Sequence, residues 1–158
     1  MRETMEKQYQ PTGNEQEIQF FCFYLGDTLC GLEIDRVQVV ASDFNLTEVP
    51  LSDEYILGIM NIRGQIITVI DLRKKMGMAP IEMKRQIHAI IVQSQNEYVG
   101  FAVEKVSDVI VGRKLEISAL PSDVKGLQGK FFYGMVHTKD NELIFLLDID
   151  KVLGNETE

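Results

Sequence analysis

The sequence predicts an all-β protein with a few short helices, built as two similar units that press together, and three observations carry that prediction. Apolar segments of strand length, rich in β-branched and aromatic residues, recur between turn signals. The chain also repeats itself: "CGLEIDRVQVV" from Cys30 aligns without gaps on "VGFAVEKVSDVI" from Val99, and "YILGIMNIRGQIITVIDL" aligns on "FFYGMVHTKDNELIFLLDI" with one extra residue in the second turn. Gly31 then falls on Gly100, Asp35 on Glu104, Val37 on Val106, Gly58 on Gly134 and Asp71 on Asp148, with Pro50 and Pro121 between the paired blocks. Finally, a strand such as "FFCFYL" is apolar on both faces, which a unit facing water on its outer side does not require, so two units must share a core.

The expected strands are "IQFFCFYL", "TLCGLEI", "YILGIMNIR", "QIITVID", "QIHAIIVQ", "YVGFAVEKV", "KFFYGMVHT" and "ELIFLLD", with loops at "GD", "GQ", "SQNE" and "KDN". Asp71 and Asp148 are placed to cap short helices, and "LRKKMG" and "IDKVLG" end on Gly77 and Gly154, suited to left-handed caps. Each unit has about five strands, too few for a sandwich but enough for a small, nearly closed barrel that hides its edges. The organisation expected is a polar tail over residues 1–16, one domain over 17–154 containing repeats at about 18–80 and 86–154, and a short tail at 155–158. Strand exchange between the repeats is left open.

Composition narrows the function. The 158 residues are 45% hydrophobic, as in a globular protein, and no run approaches the roughly 20 apolar residues of a spanning helix. The polar start "MRETMEKQYQPTGNEQE" has no signal-peptide segment, so a cytoplasmic protein without membrane insertion is expected. With 16 basic against 24 acidic side chains, the net charge of −8 repels a phosphate backbone and argues against nucleic acid. A two-residue turn at Gly26-Asp27 sets Tyr24 against Leu29 and Phe23 against Cys30, so Cys22 and Cys30 point to opposite faces as buried free thiols. His88 and His137 belong to no ligand spacing, and no metal or cofactor is expected. Asp71 and Asp148 could suggest a small acid–base hydrolase, but neither has a nearby nucleophile, and their matched places before short helices suit N-caps. The run "LRKKM" reads as a solvated helix face.

The stretch "GIMNIRGQIITVIDLRKKMG", from Gly58 to Gly77, places one arginine beside a tight turn in an otherwise greasy hairpin. With Gly64 and Gln65 as the turn, Arg63 pairs with Ile66, Ile62 with Ile67, Asn61 with Thr68, Met60 with Val69 and Ile59 with Ile70. Met60, Ile62, Ile67 and Val69 then share an inward apolar face, while Asn61, Arg63 and Thr68 face outward among isoleucines as a mixed patch. The ordinary account of such an arginine is hairpin solubility; the repeat matches it with Lys139 and matches Asn61 with His137. Val37 and Val39, at alternating positions of "IDRVQVV", read equally well as core residues.

This same stretch, preceded by "VPLSDEYIL" and "GLEIDRVQVV" and followed by "VGFAVEKVSDVI", resembles the CheW family of chemotaxis coupling proteins over Ile18 to Gly154. It departs from the usual pattern at Ile62, Thr68 and Val39, the last a place often taken by glutamate. The resemblance implies two five-stranded SH3-like β-barrels around a common core. It further implies a non-enzymatic adaptor that binds chemoreceptor cytoplasmic tips and the regulatory domain of the histidine kinase CheA, and so is recruited to membrane-associated arrays. A CheW-like coupling protein of a different histidine-kinase array, serving motility or development, is the alternative. The resemblance places Arg63 on the receptor-contacting surface, with Asn61, Val37 and Val39 as further receptor candidates, and leaves the kinase contacts unassigned. Gly58, Gly64, Asp71, Gly77, Gly134, Asp148 and Gly154 are the expected turn and cap residues.

Overall fold

The computed structural model describes residues 16–83, 86–120, 123–124, 127–138 and 140–154. The first half supplies strands β1 (Glu17–Leu25), β2 (Thr28–Glu33), β3 (Val37–Ala41), β4 (Ile56–Ile62) and β5 (Gln65–Asp71), then a single-turn helix α1 (Leu72–Lys75). The second half supplies β6 (His88–Ser94), β7 (Glu97–Val103), β8 (Lys105–Arg113), β9 (Asp123–Val124), β10 (Leu127–Gln128), β11 (Phe132–His137), β12 (Leu143–Leu147) and helix α2 (Ile149–Leu153). The apolar run drawn through Val106 is interrupted at Glu104, where β7 ends and β8 begins. The strand "KVSDVIVGR" escapes a search for apolar runs because it lies at a sheet edge, and its residues are exposed or half-buried throughout.

Two five-stranded sheets result, in the orders β11-β12-β2-β1-β8 and β3-β6-β7-β5-β4, here called the first and second barrel. Neither follows the repeat boundary. The first barrel joins hairpin β1–β2 to three strands of the second half, and the second joins hairpin β6–β7 to three strands of the first half. Each hairpin is joined on one side by parallel pairing, β12 on β2 with Leu146 opposite Gly31 and β5 on β7 with Val69 opposite Gly100, and on the other by antiparallel pairing, β8 on β1 and β3 on β6. A Cβ on Gly31 would lie 2.9 Å from the Ile144 side chain, and one on Gly100 would lie 3.2 Å from Ile91 and Val69. The matched glycines therefore sit where the exchanged strand packs most closely.

Three apolar clusters follow from this arrangement. Cys22, Phe20, Val136, Ile144 and Leu146 fill the first barrel, and Met60, Ile67, Val69, Ala89 and Ile91 fill the second. Between them lies the largest cluster, where Phe23, Cys30 and Phe145 meet Ile70, Ile90 and Phe101. Each fully buried phenylalanine there stabilises the fold by about 1.5–3 kcal/mol. The doubly apolar β1 is thus explained: Phe20 and Cys22 face the barrel interior, and Phe23 faces the shared core. Tyr24 pairs with Leu29 and Phe23 with Cys30, so the thiols do lie on opposite faces, free and buried. Burial pushes the Cys22 thiol up to about 12 and raises Cys30 further.

The helices follow from their caps. Asp71 Oδ1 accepts from the Lys74 N–H at 3.2 Å and Asp148 Oδ1 from the Lys151 N–H at 3.2 Å. After them Gly77 and Gly154 take positive φ of 82° and 73°. Asp71 does more than cap, since its Oδ2 also accepts from the Ile81 N–H at 3.0 Å, pinning the connection between the halves beneath a carboxylate only 1% exposed. Each of its oxygens thus accepts one backbone N–H, the geometry of a structural cap.

Candidate functional site

The hairpin β4–β5 differs by one step from the register read in the sequence. Ile62 pairs with Gln65, Asn61 with Ile66, Met60 with Ile67 and Ile59 with Thr68, so the two turn residues are Arg63 and Gly64 rather than Gly64 and Gln65. Their φ values of 51° and 85° are those of a type I′ turn, whose twist matches that of the flanking strands. Asn61 supplies the local reason: its Oδ1 accepts from the Gly64 N–H at 3.0 Å, closing the turn one residue early. Because the pairing moves by an even number in total, the faces survive. Met60, Ile67 and Val69 are buried inside the barrel, with Ile62 half-buried beside them, while Asn61 and Ile66 face outward. Arg63 is therefore exposed at the hairpin tip, in a left-handed conformation that a non-glycine residue adopts at a cost of about 1–2 kcal/mol.

Val37 and Val39 are parted by a bulge. Val37 lies opposite Val92 and Val39 opposite Ile91, so Gln38 is an extra residue and the two valines leave the strand on opposite faces. Val37 turns toward the shared core, whereas Val39 remains 41% exposed. Residues two apart share a face only in an unbroken strand, and that is the reason the alternation misleads here.

Val39 and Asn61 do meet. They line a groove of roughly 620 Å³ at the seam between β3 and the β4–β5 hairpin, together with Phe44, Thr47, Ile59, Ile62 and Ile66. Ile66 is 62% exposed, an unusual position for so large an apolar side chain in a well-packed barrel. Gly58 shapes the groove from beneath. Thr47 and Ile59 exchange backbone hydrogen bonds of 2.9 and 2.8 Å, and a Cβ on Gly58 would stand 2.6 Å from the Thr47 carbonyl oxygen. The hairpin alternation already sets Ile66 on the outward face beside Asn61, whereas Thr47 and Phe44 are not singled out by the sequence, since nothing local marks a loop residue such as Phe44.

Among the described residues no three His, Cys, Asp or Glu side chains gather as a metal site. His88 Nδ1 lies 2.8 Å from Ser42 Oγ, and His137 is exposed on β11. Among the described residues no helix is long and apolar enough to cross a membrane. Lys139 and Pro121, compared with Arg63 and Pro50 in the repeat, lie outside the described residues.

The model of the CheW-like domain matches residues 19–157. The chain belongs to the CheW family. Chemotaxis protein CheW of Thermotoga maritima is 31% identical over 142 residues, 90% of this chain and 91% of that protein. CheW of Bacillus subtilis is 32% identical over 126 residues, 80% of each chain, and protein FrzA of Myxococcus xanthus is 28% identical over 141 residues, 87% and 86% of the two chains. Among solved structures, the scaffolding protein TtCheW from Thermoanaerobacter tengcongensis superposes with a TM-score of 0.77 at 31% identity, covering 84% of this chain and 90% of that one. The two barrels of this CheW-family chain are accordingly the family's pair of SH3-like barrels.

Proposed function

We propose that this CheW-family chain is a chemotaxis adaptor that couples chemoreceptor cytoplasmic tips to a CheA-type histidine kinase by binding both. On this reading the receptor tip lies in the groove beside Val39, Asn61 and Ile66, with Arg63 at its margin, and the kinase regulatory domain takes another surface. The adaptor performs no chemistry of its own, works in the cytoplasm and reaches the membrane through its partners. The observation that carries the receptor assignment is the groove itself, where two large aliphatic side chains stay exposed next to an arginine in a strained turn. A guanidinium there can donate several directed hydrogen bonds to carboxylates or helix-end carbonyls, while its stem covers apolar surface. As a desolvated anchor it is worth about 2 kcal/mol of binding.

The test is kinase autophosphorylation in a reconstituted mixture of receptor, kinase and this protein, comparing the wild type with Arg63→Glu. The variant is expected to stay folded, to retain kinase binding and to lose at least about tenfold of receptor-dependent activity, as a lost anchor of that size implies. Wild-type-like coupling by the variant would return Arg63 to the role of a solvated turn residue. A second reading, a coupling protein of a different histidine-kinase array, is supported by the comparable likeness to FrzA. The receptors and kinase that co-purify with the chain decide between the two.

A further inference from the structure

One loop carries a leucine that neither its turn nor the core requires. After the Thr47–Ile59 bridge the chain runs through Glu48, Val49, Pro50 and Leu51 before Ile56 opens β4. Leu51 has a φ of 61° and is wholly exposed, and Val49 and Pro50 beside it are exposed as well. Proline followed by a left-handed residue is the order of a type II turn, whose second central position favours glycine or asparagine. Ser52 holds the turn closed, its Oγ donating to the Val49 carbonyl at 2.8 Å. Among the described residues the other non-glycine residues with positive φ are Arg63, Gln95, Asn96 and Asn141, all polar, so Leu51 alone sets an aliphatic side chain on strained backbone. It belongs to none of the three apolar clusters. The second repeat has no counterpart for it and reads "LPSD" where the first reads "VPLSD".

We infer that Leu51 is the apolar anchor of a second protein-binding surface, and that it seats in an apolar socket, bordered by basic side chains, on the kinase regulatory domain. The inference rests on the adaptor reading above, which needs two partners held at once. β4 is 7 residues long, which puts its two ends about 20 Å apart. The loop before Ile56 can therefore be covered while the hairpin tip at Arg63 is occupied. A strained aliphatic side chain that adds nothing to folding is what a binding loop presents when contact with a partner, rather than the fold, selects the residue. The flanks of the loop set the charge of the socket. Glu48 and Asp53 are exposed, with Asp53 Oδ2 accepting from Tyr55 OH at 3.0 Å. The cations nearby are engaged within the chain, Lys74 Nζ with Glu54 at 3.7 Å and Lys75 Nζ over the Tyr55 ring at 4.1 Å. Two carboxylates, Glu48 and Asp53, thus border the apolar tip, and basic groups around the socket complement them.

The strain at Leu51 separates binding from stability. Leu51→Gly is compared with the wild type in its urea midpoint and in its affinity for two probes, the kinase regulatory domain and a soluble fragment of the receptor's cytoplasmic tip. The variant is expected to unfold at or above the wild-type midpoint, because glycine accepts the left-handed conformation, and to bind the kinase domain at least tenfold more weakly with receptor binding unchanged. Leu51→Met, equally apolar, is expected to keep wild-type affinity for the kinase domain. Wild-type kinase binding by Leu51→Gly overturns the inference and leaves the adaptor reading standing, as does a loss confined to the receptor fragment. A lowered midpoint with loss of both partners makes Leu51 a structural residue and overturns the inference too. Failure of the wild type itself to bind the kinase domain removes the adaptor reading together with the inference.

Discussion

The two barrels come from one repeated pattern, and their outer seams have diverged. Val39, Asn61 and Ile66 of the second barrel are matched in the first by Asp108, His137 and Leu143, so an exposed valine in one seam is an exposed carboxylate in the other, while the remaining two places keep a polar and an aliphatic side chain. Beneath the seams the barrels still agree. Thr47 bridges to Ile59 in one and Ser118 to Met135 in the other, each over a glycine with a bulge beside it, Gly58 or Gly134. The repeat thus preserves what closes a barrel, while outward positions, whose substitution disturbs little packing, are free to differ.

That comparison can be broken first at the glycines. Gly58→Ala introduces a Cβ at a φ of 152° and 2.6 Å from a backbone oxygen, whereas Gly134→Ala meets the Ile117 side chain at 2.6 Å and the Ser118 oxygen at 3.0 Å. Backbone strain adds to overpacking at Gly58, so urea unfolding should report losses of about 4 kcal/mol there and about 2 kcal/mol at Gly134. Equal losses would mean that the two seams close by the same means.

The caps offer the next contrast. Asp71→Ala removes a helix cap and strands the Ile81 N–H, while Asp148→Ala removes a cap alone. Expected losses of stability are about 3 and about 1 kcal/mol, the difference being a buried donor left unpaired. Should hydrogen exchange of the Ile81 amide be unchanged in Asp71→Ala, the pinning role assigned to the carboxylate is wrong.

The smallest effect near neutrality concerns the thiols, one in the first barrel and one in the shared core. A thiol whose ionisation is raised on folding contributes stability that is complete below the free-thiol value of 9.0 and declines as pH rises, for Cys22 until about 12. Each buried thiol should then remove about 1.4 kcal/mol per pH unit above 9.0. Cys22→Ala should flatten that decline, measured as the urea midpoint at pH 8, 9 and 10; an unaltered slope would show that Cys22 does not titrate with unfolding.

Much of this molecule was legible along the chain because its signals are local or periodic. Alternation set the faces of the β4–β5 hairpin and of Cys22 and Cys30, and Asp71 and Asp148 stood before the helices they cap. The internal repeat and two-faced strands called for two units with a common core. The turn itself was a local feature that strand alternation overlooks, since the Asn61 side chain accepts from the Gly64 N–H and moves the turn onto Arg63. Other features depended on contacts between distant residues: pairing with β6 makes Gln38 an extra residue and separates Val37 from Val39. Which hairpin joined which three strands was decided by pairing between the halves, parallel across Gly31 and Gly100 and antiparallel along β1–β8 and β3–β6, since both repeats offer nearly the same surfaces and local pattern does not choose between them. The groove arose in the same way: Val39, Phe44 and Ile66 are scattered through the sequence, and closure of the second barrel brought their side chains to one seam.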